Sequence, residues 1–164
     1  MILTIVIECV VICALFTVIV VTAVRKRDPV DYIYDYPEEI IERAYKLNMI
    51  DSLNLVEDRN RILKKFIAGC LVTVLLTAIV IFVNHAETFE QGMYISYAIW
   101  AVVVIYDVIL DCVWFCHDEK VRLPGTEDLA DAYLDYGYHI RMGLHGLILG
   151  IPICLTIGLF IAII

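Results

Sequence analysis

The sequence predicts an all-α integral membrane protein, with four membrane-spanning helices and amphipathic helices on the cytoplasmic side. Three observations carry this. The 164-residue chain is 62% hydrophobic, where an ordinary globular domain holds about 45–50% apolar residues. Its apolar residues gather in four runs, each long enough to cross a hydrocarbon core of ~30 Å at ~1.5 Å per residue. All twelve Lys and Arg residues fall between the first and second runs or between the third and fourth.

The first run, 1–24, holds one charged residue, Glu8. It has no basic leader, its apolar stretch is too long for a signal peptide, and Arg25-Lys26-Arg27 stops it, so it reads as a retained helix. The second run, 66–83, is uncharged. The third, 93–116, contains Asp107 and Asp111, and the fourth, 142–164, contains only the titratable His145. Loops 25–65 and 117–141 carry every basic residue, and the short loop 84–92 carries none. The positive-inside rule counts Lys and Arg rather than net charge. It predicts both long loops in the cytoplasm and both termini outside a plasma membrane, with 1–164 forming a single membrane domain.

The net charge of −8 leaves neither loop a polybasic patch for anionic lipid, and no nucleic-acid partner is expected. The six cysteines lie within the runs, which argues for packing and against a disulfide framework.

The loops are too short to bury a core alone. In "DPVDYIYDYP" the period-two alternation predicts an extended segment with Tyr32, Tyr34 and Tyr36 on one face. Pro37 then suits a first helical turn, followed by Glu38 and Glu39 at the positive end of the helix dipole. A second helix is expected to start near Asp51 or Ser52 and to run through Leu55, Val56, Ile62 and Leu63. Loop two turns at Pro124-Gly125 and offers Thr126 as an N-cap. From there Leu129, Ala132, Tyr133, Tyr136 and Ile140 recur as one helical face. Tyrosines in both loops are expected at a membrane–water boundary with wet hydroxyls, or else on a partner-docking surface.

The run "DCVWFCHDEKVRLPGTEDLADAYLDYGYHI", with "DYPEEI" upstream, resembles a group of uncharacterised small multi-pass membrane proteins of Gram-positive bacteria. The resemblance covers the second half of the chain. It implies a bacterial inner membrane and carries no established activity.

Asp107 and Asp111 lie four apart on one face of the third span. An ionised Asp there costs ~2.5–3.5 kcal/mol on insertion scales, so both are expected to face protein or water. Counted from the cytoplasmic end, Asp111 sits ~7 Å deep, Asp107 ~13 Å and His145 ~6 Å. Asp111, His145 and Arg141 are therefore expected to meet if the third and fourth spans are neighbours. Two readings stay open: a structural Asp–Arg or Asp–His pin, or a proton- or cation-handling site. Glu8 is expected to hydrogen-bond Tyr97 or the Asn84-His85 end of the second span. Cys112, Cys116 and His117, with Asp111, His139 and His145 as further donors, are a weaker metal candidate, because their spacing fits no standard zinc site.

Gly146, Gly150, Cys154, Gly158 and Ala162 form a small-residue ladder on the fourth span, a seam for close helix approach within the bundle or between protomers. No nucleophile elbow, P-loop or HExxH occurs, and no cofactor is expected. The sequence thus points to a non-enzymatic structural, regulatory or accessory membrane subunit, acting through helix packing with a second copy or a partner subunit. The alternative is a small oligomeric proton- or cation-coupled transporter or channel.

Overall fold

A computed structural model of the chain describes residues 2–53 and 59–164. All regular structure among them is helical: α1 (Ile2–Lys26), α2 (Glu38–Lys46), α3 (Arg59–Ala78), α4 (Phe89–Val113), α5 (Ala130–Tyr133) and α6 (Tyr136–Ile163). α3 continues into a π-helical turn over Ile79–Val83. Four stretches, Ile2–Lys26, Ile62–Val83, Phe89–His117 and Tyr136–Ile163, are long and apolar enough to cross a membrane. Leu55 and Val56 of the expected second loop helix lie outside the described residues.

The residues group into two compact units. One comprises Met1–Cys13, Glu57–Ile105 and Leu144–Ile164; the other comprises Ala14–Val56 and Tyr106–Gly143.

In the first unit, glycines bring α6 against α4. A β-carbon at Gly150 would stand 2.3 Å from Trp100 Cδ1 and Nε1. The indole N–H donates to the Gly146 carbonyl at 3.0 Å. Farther along, a β-carbon on Gly92 would lie 3.1 Å from Gly158 Cα, and one on Gly158 would lie 2.8 Å from the Phe89 carbonyl oxygen. Cys154 is buried between these contacts. The ladder therefore lies against α4, inside the chain, as far as Gly158. Ala162 is exposed, and Ile161 is buried in its place. A four-residue step turns an α-helix by about 400°, so a ladder at spacing four drifts ~40° per step and has left the seam by its fifth member.

Near the short connection between α3 and α4, the Asn84 amide donates to both carboxylate oxygens of Glu8 at 2.9 Å. The π-turn ends with His85 at φ 53° and with the Ala86 N–H donating to the Val80 carbonyl at 3.1 Å.

The second unit is organised around Tyr36, Ile40, Phe115, Val121, Leu123 and Tyr133. Here the structure corrects several expectations. First, "PVDYIYD" is a 3₁₀ helix over Pro29–Asp35, not an extended segment. Asp28 caps it by accepting from the Val30 N–H at 3.0 Å, and Pro29 supplies a pre-set φ at its start. The Tyr36 hydroxyl is not wet: the residue is 1% exposed, its ring stacks on Phe115 at 5.9 Å, and its O–H donates to the Val121 carbonyl. Burial first, then the neighbouring Tyr133, pushes the Tyr36 phenol well above the usual tyrosine range.

Second, the single helical face expected over 129–140 is broken. α5 ends at Tyr133 and α6 starts at Tyr136. Asp135 Oδ1 accepts from the Tyr138 N–H at 3.1 Å, an N-cap bond that starts a separate helix. Tyr133 is buried, while Tyr136 and Ile140 are exposed.

Thr126 does not cap through its side chain. It closes a ring instead. The Leu123 N–H donates to the Tyr133 hydroxyl at 2.9 Å, and Thr126 Oγ1 donates to the Leu123 carbonyl at 2.6 Å. The Thr126 and Tyr133 hydroxyls meet at 2.8 Å. Because the one Thr126 hydroxyl proton goes to Leu123, Tyr133 is the donor in that last bond.

The two loops are joined by Arg43, whose guanidinium makes two parallel 2.7 Å bonds to Asp128 and one of 3.2 Å to the Gly125 carbonyl. α2 ends in a complete Schellman motif: Asn48 takes φ 55°, and the Asn48 and Met49 N–H groups donate to Tyr45 and Ala44.

Candidate functional site

Three ionisable groups of the second unit, Asp107, Asp111 and His139, lie where α4 ends and α6 begins. Asp107 and Asp111 sit one turn apart on α4, and both are half-buried. His139 enters from the first turn of α6 and is buried. Its Nδ1 lies 3.2 Å from Asp111 Oδ2. The same imidazole is within side-chain hydrogen-bond reach of the buried Cys116 thiol. Aromatic rings close around it: Tyr138 edge-on at 5.4 Å and Phe115 at 6.3 Å. Phe115 also packs on Tyr32 and Tyr36, so the tyrosine-rich stretch of loop one roofs the site.

Local sequence explains each placement. α4 ends at Val113, and a 3₁₀ turn over Phe115–His117 follows. That turn sends Phe115 and Cys116 inward and leaves His117 exposed. On the other side, the Asp135 cap starts α6 five residues before Arg141 and so sets His139 at the depth of Asp111.

The histidine beside Asp111 is therefore His139. His145 lies on an exposed face of α6. Arg141 is also exposed, and its guanidinium reaches Asp135 at 3.7 Å. Of the metal candidates, Cys112 is half-buried, Cys116 turns toward His139, and the His117 ring meets the Tyr136 hydroxyl at 3.0 Å. Among the described residues, no group of three or more His, Cys, Asp and Glu side chains is placed to hold a metal ion. Glu8 belongs to the other unit, held by Asn84. Sequence reasoning weighed His139 only as a metal donor, and it missed the Tyr36–Phe115 roof. The signal for His139 was the Asp135 cap, three residues before Tyr138.

Chemically, the arrangement pairs a half-buried carboxylate with a buried imidazole, with a second carboxylate one helical turn away on α4. Such a set can pin two helices or hold and pass a proton. Comparison with known protein families, characterised proteins and solved structures finds no match for this chain.

Proposed function

We propose that the chain is a multi-pass protein of a bacterial plasma membrane, with both termini outside, serving as a structural, regulatory or accessory subunit through helix–helix packing. The observation that carries this reading is the outward face of α1. Leu3, Ile7, Val10, Val11, Leu15, Val18 and Ile19 are all exposed there and recur at three- and four-residue spacing. That stripe is apolar and rich in β-branched residues, the side chains that interdigitate as knobs into holes along the seam of a helix pair. The alternative seam, the glycine ladder of α6, is occupied by α4 as far as Gly158. The partner class is another membrane helix, from a second copy or from a different subunit.

The test is extraction of native membranes into polymer-bounded lipid particles, followed by mass measurement. A defined complex larger than one chain, lost when Val10 and Val18 are replaced by Trp, supports the reading. A lone chain in both cases overturns it.

A second reading is favoured by the Asp111–His139 pair: a proton- or cation-coupled pathway built on Asp107, Asp111 and His139. Buried ionisable groups in spans often mark such pathways. Proton and monovalent-cation flux in proteoliposomes, compared between wild type and Asp107→Asn or Asp111→Asn, tests it. Flux lost in either variant with folding intact supports it, and no wild-type flux across pH and voltage overturns it for those ions.

A further inference from the structure

In the first unit an apolar cleft of about 650 Å³ runs between α3 with its π-turn and α6. Thr73, Thr77 and Phe82 form one wall; Thr156 and Phe160 form the other. The three threonines have no hydroxyl proton to offer a ligand. Thr73 Oγ1 donates to the Gly69 carbonyl at 2.8 Å, Thr77 Oγ1 to Thr73 at 2.7 Å, and Thr156 Oγ1 to Pro152 at 2.9 Å. Each hydroxyl is thus satisfied on its own helix. The π-turn, by adding a residue to the helical turn, leaves Phe82 75% exposed, and Phe160 is 50% exposed on the facing helix. Ile157, 1% exposed, forms the floor.

The occupant follows from chemistry and size. A water-borne ligand needs a few placed polar groups for orientation, and the cleft's threonines have no donor to give while the rest of its lining is apolar. A second helix would have to enter between the Phe82 and Phe160 rings that stand exposed on the two sides of the cleft. The strip from Thr73 to Phe82 is roughly 13 Å long and a helix is ~10 Å wide, so the patch covers on the order of 130 Å², against ~800 Å² per partner in a stable interface. A hydrocarbon chain meets both limits. The cleft is about as long as one leaflet of a ~30 Å core is deep, and a chain seated in it touches protein on several sides instead of one. We infer that this cleft binds one acyl chain of a bilayer lipid. The inference rests on the reading that the four helices span a membrane.

The test reconstitutes the full chain in lipid nanodiscs containing a trace of phospholipid with a diazirine near the end of one acyl chain. Adducts are mapped by mass spectrometry after illumination. The expected result is labelling of Thr73 and Val74, at the mid-span end of the cleft, several-fold above Leu71 and Ile148, which are well exposed but outside the cleft. Thr77→Phe, which fills the cleft, should bring that labelling down to the Leu71 level. Ala78→Leu is the second variant, if Thr77→Phe does not fold. Labelling that merely follows exposure overturns the inference, as do cross-links between copies through Phe82 or Phe160. Absence of label at Leu71 and Ile148 as well overturns the membrane-spanning reading itself.

Discussion

His139 Nδ1 lies 3.2 Å from Asp111 Oδ2, and this one contact ties the first turn of α6 to the last turns of α4. Removing the imidazole takes the half-buried Asp111 carboxylate's partner away and empties a buried side-chain position. His139→Ala should therefore lower stability by about 1–3 kcal/mol. A double-mutant cycle with Asp111→Asn should return a coupling of about 0.5–3 kcal/mol. His145→Ala, on an exposed face, should stay within about 0.5 kcal/mol. Denaturation in detergent micelles checks all three.

The pair also marks how far the sequence could be read. The four spans were legible because a run of some twenty apolar residues has few other physical solutions. Asp107 and Asp111 were legible as a face because a helix fixes the four-residue spacing. The partner histidine was misplaced because depth was counted from Arg141, while the Asp135 cap starts α6 a turn and a half earlier. The tyrosine stretch was misread for a related reason. Period-two alternation describes a strand only where nothing else fixes the backbone, and here Asp28 and Pro29 set a 3₁₀ turn. Nothing local in "DYIYDYP" announces that Tyr36 will find the Val121 carbonyl 85 positions away.

The Gly150–Trp100 contact should be intolerant of any side chain. A β-carbon at 2.3 Å from the indole forces the ring off α6 and breaks its bond to Gly146. Gly150→Ala is expected to cost about 1–3 kcal/mol through overpacking. Ala162→Leu, at the rung that has drifted out of the seam, should be nearly neutral. Thermal unfolding of the two variants side by side decides whether α4 occupies the ladder.

Tyr133→Phe tests the hydrogen-bonded ring of loop two. It leaves the Leu123 N–H without its acceptor and the Thr126 hydroxyl without its donor, both in a buried setting. A loss of about 1–3 kcal/mol is expected, with amide exchange accelerating at 121–126 and unchanged in α4 above Ile105. Uniform acceleration along the chain would instead mean global loosening.

The link between the loops should be acid-sensitive. The Arg43 guanidinium holds the Asp128 carboxyl below its ordinary range, and the Gly125 N–H does the same for Glu127. Both groups have folded values depressed below the unfolded ones. Their contribution is fully present above the ordinary carboxylate range near pH 4 and is lost as pH falls through the lower folded values. Amide protection factors at Gly125 and Leu129, taken relative to the intrinsic exchange rate at each pH, should fall over that acidic window in wild type. In Asp128→Asn the exchange should already be fast at neutral pH.

The α1 stripe is the face through which the chain is proposed to act, and a photocrosslinking amino acid placed there in native membranes tests this most directly. Substitution at Val10 or Val18 should give one discrete protein adduct, with this chain or with a single partner, while substitution at the buried Cys13 should give none. Protein adducts absent from every outward position of α1, with only lipid captured, would contradict the account.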